Sequence, residues 1–356
     1  MHGPQPWLST TTNSVTGGAR DDGIFPGMNP KLSVLADARG GWFSRADATA
    51  AGYTDSEIRR RLRTGQWSRL SRDVYVEPTG APAGETSWDR ARRLHLLKTR
   101  AIVNRMGPGA VVSHQSAAVL HGLPSWGLDL SKIHVTKPRG RTRSDMLAEV
   151  HRSRFDPGEV TAVDGVPVVT PARAVAEATC ASSYEVGVVL GDAALHNRLV
   201  TRDALVATAD RHAGWQGSPA ARAAARFANG LSESVGESRL RVLMANHGLP
   251  EPDLQVEIRD RSGRLIGRVD ILLGGVTIVE FDGATKYGDA QSLVAEKWRE
   301  DNLRALGYQF VRVGWQDLDH PRTTASRLRE ASLAAGANIR PARLPPGGAT
   351  TAWRRR

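Results

Sequence analysis

The sequence predicts a multi-domain α/β protein made of three successive folded segments. These are an N-terminal winged helix-turn-helix, a mixed α/β middle, and a C-terminal core in the order α-β-β-β-α-β. Three observations predict this. Between residues 32 and 77, stretches with helical spacing are punctuated by glycines and end in a short β-type run. From 94 to about 225 helical and β-type runs mix. In RVDILLGGVTIVEFDG, Arg268 to Gly283, two apolar β-type runs meet at a glycine pair and both carry carboxylates.

Composition narrows the partners. At 356 residues the chain has room for two or three domains. It carries 48 Lys and Arg against 37 Asp and Glu, a net charge of +11, which favours an anionic partner, nucleic acid first. Cys180 is the one cysteine, so a disulfide within the chain and a cysteine-based zinc site are excluded. No apolar run approaches a membrane span, and residues 1–30 lack the apolar stretch of a signal peptide. A cytoplasmic protein without a membrane partner is expected. Residues 1–30 and the basic tail 338–356 have few large apolar residues and are expected to be disordered.

The winged-helix segment is expected over 31–80. Leu32 to Ala38 and Phe43 to Ala51 are helix candidates, the second ended by Gly52. Thr54 or Asp55 caps a third, Ser56 to Thr64, which Gly65 stops. Gln66 to Val76 reads as a two-stranded wing turning near Arg72 and Asp73. The third helix would read DNA. It carries Arg59, Arg60, Arg61 and Arg63, while Ile58 and Leu62 face inward, and the wing adds Arg69. Arg59, Arg60, Arg63 and Arg69 are therefore the expected DNA contacts, with a merely solvated face as the alternative.

In the middle segment, 90–228, the strand Ile133-His134-Val135 runs into a basic loop holding Lys137, Arg139, Arg141 and Arg143. Those four cations suit phosphate contact, and an ordinary solvated loop fits equally. Ser113, His114 and His121 lack an evident acidic orienting residue, so capping and packing are expected of them rather than nucleophilic catalysis. Val166 to Val169 reads as a strand, followed by a helix with Thr170 as cap and Pro171 at its first position.

The last segment, 232–332, opens with a helix from Ser234 to Gly248 and a strand from Leu254 to Arg259. The carboxylate hairpin follows, then a helix over Ala295 to Leu306 and a strand over Tyr308 to Val313. Strand side chains alternate, so Glu280 and Asp282 share a face. A two-residue loop at Gly274-Gly275 would put Asp270 on the other face. A three-residue loop, Gly274 to Val276, pairs Leu273 with Thr277 and Asp270 with Glu280. Three carboxylates on one face repel unless a cation lies between them, so Asp270, Glu280 and Asp282 are candidate ligands of Mg²⁺ or Mn²⁺. Glu237 stands three residues after Ser234, the capping-box spacing, and a cap role and a site role both remain open.

With these residues in view, the C-terminal segment resembles the restriction-endonuclease-like PD-(D/E)XK superfamily, and within it domains akin to very-short-patch-repair endonucleases. The resemblance is carried by Glu237, Val269-Asp270, Glu280-Phe281-Asp282-Gly283, and Lys297, Asp301, Arg304 and Gly307 leading into Val311-Arg312-Val313. It implies an endodeoxyribonuclease in which Asp270 and Glu280 hold the metal, Asp282 assists and Glu237 supports. The superfamily's lysine position holds Asp282 here; Lys297, with Lys286 second, is the implied substitute.

The N-terminal segment resembles the winged-helix domain of abortive-infection type IV antitoxins. Its carriers are Gly41-Trp42-Phe43-Ser44, Ala46-Asp47-Ala48, Gly52, Leu62, Gly65, Trp67 and Val74-Tyr75-Val76. Asp73 replaces that family's usual glycine, which implies a tilted or longer wing turn. Two functions follow from the two resemblances. One is a DNA-binding, metal-dependent nuclease of defence or repair. The other is an antitoxin-like transcription regulator, paired with a toxin or defence partner, whose nuclease-like fold is inert.

Overall fold

The computed structural model describes residues 28–78, 85–283 and 290–336, with the side chains of 290–293 left aside. The expected disorder of residues 1–27 and of 338–356, and the candidate Lys286, lie outside these described residues. Residues 28–30 depart from the expected disordered start: Asn29 caps a helix by accepting from the Leu32 amide at 2.9 Å, and Met28 packs on the core. The chain divides at Ala178/Thr179 into two compact units.

The first unit begins with α1 (Pro30–Ala38), β1 (Trp42–Ser44), α2 (Arg45–Ala50), α3 (Asp55–Arg63), β2 (Ser68–Ser71) and β3 (Val74–Val76). A small antiparallel sheet in the order β1-β3-β2 backs the three helices, a winged-helix arrangement. The expected helix Phe43–Ala51 is shorter than its apolar pattern suggests. Ser44 and Asp47 form a capping box that starts α2 at Arg45, and Trp42 to Ser44 pair with β3 instead. Trp67 organises the core, with Phe43 edge-on at 4.7 Å and Tyr53 at 5.0 Å. The wing turn stays at two residues, because Asp73 adopts the left-handed conformation (φ 60°) that glycine would have supplied; the irregularity falls in β2, between Arg69 and Ser71.

Beyond the winged helix, this unit contains α4 (Ser87–Met106), β4 (Val111–Val112), α5 (His114–Leu120), β5 (Ile133–Lys137), β6 (Arg143–Ser144), β7 (Ala148–Arg152), β8 (Val160–Val163), β9 (Val166–Val169) and α6 (Pro171–Cys180). Its six-stranded mixed sheet runs β6-β7-β5-β4-β9-β8, with β5/β7 and β4/β9 parallel.

The second unit comprises α7 (Tyr184–His196), α8 (Arg202–Arg211), α9 (Ser218–Phe227), α10 (Val235–Asn246), β10 (Asp253–Arg259), β11 (Leu265–Leu273), β12 (Thr277–Asp282), α11 (Ala290–Ala305), β13 (Gln309–Gly314), α12 (Trp315–Leu318) and α13 (Pro321–Ala334). Thus the stretch that reads as one middle segment is shared, and α7 to α9 pack with the C-terminal core. The reason is a buried polar tie: Arg241 of α10 donates to Asp192 of α7 at 2.6 Å, and Ser238 donates to the same carboxylate oxygen at 2.6 Å. Val188, Ala224 and Val242 close around it. The four-stranded sheet runs β10-β11-β12-β13, antiparallel except for β12/β13, and α10, α12 and α13 cover the face that carries Ile271 and Val313, with Leu240 and Met244 of α10 packed in the same core. Among the described residues, no helix is long and apolar enough to cross a membrane.

Candidate nucleic-acid interface and acidic site

Thr54 starts α3 with a full capping box, accepting from the Glu57 amide while Glu57 Oε2 accepts from the Thr54 amide at 2.8 Å. Helical spacing then separates two faces. Ile58 is fully buried, and Arg59, Arg60 and Arg63 stand exposed with no ion pair among the described residues. Residues 59 and 63, and 60 and 63, are helix neighbours, so the three guanidiniums form one patch. Arg61 is different. It flanks the apolar stripe and lies over Tyr53 and Trp67, at 5.0 and 5.2 Å from the ring centroids, a packing role. Arg69 is exposed on β2, its guanidinium 5.9 Å from the Tyr75 ring.

The second basic group is partly engaged. Lys137 donates to the Met106 carbonyl at 2.9 Å and so ties β5 to the end of α4. One of its three ammonium donors is engaged in that bond. Arg139, Arg141 and Arg143 are exposed.

In the second unit the hairpin loop has three residues, Gly274 to Val276, with both glycines at positive φ (61° and 75°) and Leu273 opposite Thr277. Continuing that register one step past Ile271–Val279 sets Asp270 opposite Glu280. The Asp270 carboxylate accepts from the Phe281 amide, and burial together with the Glu280 charge pushes its pKa up to about 6. Glu237 approaches from α10. Its oxygens accept from the Glu233 amide at 2.8 Å, the Ser234 hydroxyl at 2.7 Å and Gln255 at 3.3 Å. Burial first, and also the Asp270 charge, raise it to about 7. Gly236 makes this approach possible: a Cβ there would lie 2.0 Å from Phe281 Cε1. Glu237 thus bonds at the start of α10, to the Ser234 hydroxyl and the Glu233 amide, and feels the charge of Asp270.

Two expected site residues lie elsewhere. Asp282 is exposed at the end of β12, opposite Gly314. Lys297 is exposed on α11 and makes no bond to the carboxylates among the described residues. Arg299 takes its place. It donates to Glu280 Oε1 and pairs with Glu296 at 2.6 Å. At about 100° per residue the two positions are some 200° apart around the helix, so only one of them meets the sheet. Gly267 clears the path, because a Cβ there would come within 3.0 Å of Arg299 Cδ. Arg312 Nε adds a cation 3.9 Å from Glu280 Oε2. The signal for Arg299 lies in the sequence, an arginine one turn before Leu303 on the helix's sheet-facing side.

The three carboxylates of Asp270, Glu280 and Asp282 thus do not converge as a set. Among the described residues, the three-ligand group whose donor atoms all lie within 4.8 Å of one another is His114, His134 and His151. The acidic site is instead a pair, Asp270 and Glu280, supported by Glu237 and compensated by Arg299.

This arrangement has a pH signature. A carboxyl whose folded pKa is raised is favoured protonated in the fold, so its contribution to stability declines as pH rises from about 4 to about 6 and then levels. Asp270→Asn removes the charge and is expected to stabilise the protein at pH 8 by up to about 2–3 kcal/mol, with little change at pH 4. Denaturant unfolding at the two pH values checks this. A variant less stable than wild type at pH 8 would show that the Asp270 charge is compensated, not strained.

Against known proteins, residues 31–78 match the family described as transcriptional regulator, AbiEi antitoxin. Two proteins of Mycobacterium tuberculosis, from strains CDC 1551 / Oshkosh and ATCC 25618 / H37Rv, are each 28% identical over 225 residues. That stretch is 63% of this chain and 81% of theirs, and both carry the name uncharacterized protein. The winged helix, its aromatic core and its exposed arginine patch all lie within residues 31–78, which are therefore similar to the transcriptional-regulator domain of AbiEi antitoxins.

Proposed function

We propose that the protein is a DNA-binding regulator of antitoxin type, which engages duplex DNA through α3 and the wing. The observation that carries this is the patch of Arg59, Arg60 and Arg63, exposed on a helix whose other face is locked into the winged-helix core. Arginines in that position contact phosphates and guanine edges. A toxin partner accords with the antitoxin family that the domain matches. Fluorescence anisotropy on labelled duplex DNA, comparing wild type with the Arg59/Arg60/Arg63→Ala variant, tests it; equal affinity would move the binding surface elsewhere.

A second reading, metal-dependent phosphodiester hydrolysis in the C-terminal domain, is favoured by Asp270. Its raised pKa beside Glu280 marks a pair in which a cation would be welcome. Mg²⁺ or Mn²⁺ would be held by Asp270 and Glu280 and would supply Lewis acidity and a more acidic bound water. Glu237 would hold the α10 end against the pair. Arg299 would have to release Glu280 or serve as the fixed cation beside the scissile phosphate. If this reading holds, Asp270→Asn and Glu280→Gln each abolish Mg²⁺-dependent, EDTA-sensitive nicking of plasmid while leaving duplex binding intact. Nicking that is equal in Glu280→Gln and wild type would assign it to a contaminant and leave the regulator alone.

A further inference from the structure

Three histidines distant in sequence meet on the sheet of the first unit. His114 opens α5, His134 lies in β5 and His151 in β7. β5 and β7 run parallel with His134 opposite Glu149, so His151, two residues further on, shares its face. His134 Nδ1 and His151 Nε2 are 3.0 Å apart, and the His114 ring stacks on His151 with centroids 3.8 Å apart. A ring nitrogen from each lies within 4.8 Å of the other two.

We infer that His114, His134 and His151 form a binding site for one divalent transition-metal ion of the zinc class, oriented by Glu177. Nitrogens about 2.0–2.1 Å from a tetrahedral Zn²⁺ are roughly 3.3 Å from one another, close to the spacing already present between His134 and His151. Three imidazoles without a direct carboxylate select Zn²⁺, Co²⁺, Ni²⁺ or Cu²⁺ over Mg²⁺. All three rings are half-buried, and it is the neutral imidazole that ligates. Loading requires the stacked rings to turn until three lone pairs converge, and it leaves a fourth position for water.

Two features independent of the rings point the same way. His114 holds φ at 51°, a strained conformation for a side chain of that size, and its amide is fixed by donating to Glu177 Oε2 at 3.0 Å. That same oxygen lies 3.4 Å from His114 Nδ1, the carboxylate–histidine arrangement that sets ring orientation at metal sites. Glu177 is itself held in place by an ion pair. Buried Arg173 faces two buried carboxylates, Glu159 and Glu177.

Co²⁺ is the probe. The full chain, stripped with EDTA, is titrated with Co²⁺ and followed by visible d–d absorption, then by Zn²⁺ displacement. One Co²⁺ per chain with tetrahedral bands is expected. His134→Gln and His151→Gln should each weaken binding at least tenfold, and Glu177→Gln about tenfold with a shift in band position. If a glutamine variant fails to fold, wild type alone still decides. Zn²⁺ should protect His114, His134 and His151, but not the exposed His320, from acylation mapped by mass spectrometry. Absence of tetrahedral bands in wild type, bands unchanged in His151→Gln, or equal acylation with and without Zn²⁺ would each overturn the inference.

Discussion

Replacing Arg173 by Met is expected to destabilise the first unit by about 3–5 kcal/mol at pH 7. The guanidinium is fully buried. It pairs with Glu159, donates to Glu177 Oε1 at 2.8 Å, to the Ser153 hydroxyl at 3.1 Å and to the Arg154 carbonyl at 3.2 Å, and lies 4.8 Å from the Phe155 ring centroid. Met fills much of the volume, so the loss is electrostatic: two buried carboxylates lose their counter-charge. Burial already raises Glu177, and without Arg173 its folded pKa climbs further above the unfolded value. Protonation then rescues the fold, so the penalty is largest above pH 6 and shrinks toward pH 4. Adding Glu159→Gln and Glu177→Gln to the variant should recover part of the loss. A single-variant loss below about 1 kcal/mol at pH 7 would contradict the account of this triad.

Much of this architecture is legible from local chemistry. The Gly274-Gly275 pair between two apolar β-type runs marked the hairpin, and of the two loop lengths it allowed, the three-residue one sets Asp270 opposite Glu280. Thr54 and Ser234 announce helix starts because each satisfies an amide that the first turn leaves orphaned. What stayed hidden depends on distant partners. β1 is three residues long and exists because β3 pairs with it, so its apolar residues read as the start of α2. Arg299 rather than Lys297 reaches Glu280 because of how α11 is rotated against the sheet, which spacing alone leaves undetermined. His134 and His151 meet through a parallel β5/β7 pairing, a non-local contact that no short window contains. The assignment of α7 to the C-terminal unit rests on Asp192 and Arg241, 49 positions apart.

Removing the α3 patch is expected to have the largest effect on binding. Each phosphate neutralised by an arginine contributes about 0.9 to the slope of log K against log salt. If Arg59, Arg60 and Arg63 all touch phosphate, their replacement by Ala lowers the slope by up to about 3 and the affinity at 0.1 M salt by two to three decades. Folding should be unaffected, because all three are exposed and the α3 core contacts come from Ile58 and Leu62. Lys137→Ala, whose ammonium is bonded to Met106, should leave the slope unchanged.

The most direct measurement is therefore the salt titration of duplex binding for wild type and for the Arg59/Arg60/Arg63→Ala variant, followed by anisotropy on one labelled duplex. The account predicts a steep wild-type slope that flattens by about 2–3 in the variant, together with weaker binding at every salt concentration. Parallel lines of equal slope, or a wild-type protein whose binding ignores salt, would contradict the assignment of α3 as the DNA-contacting helix.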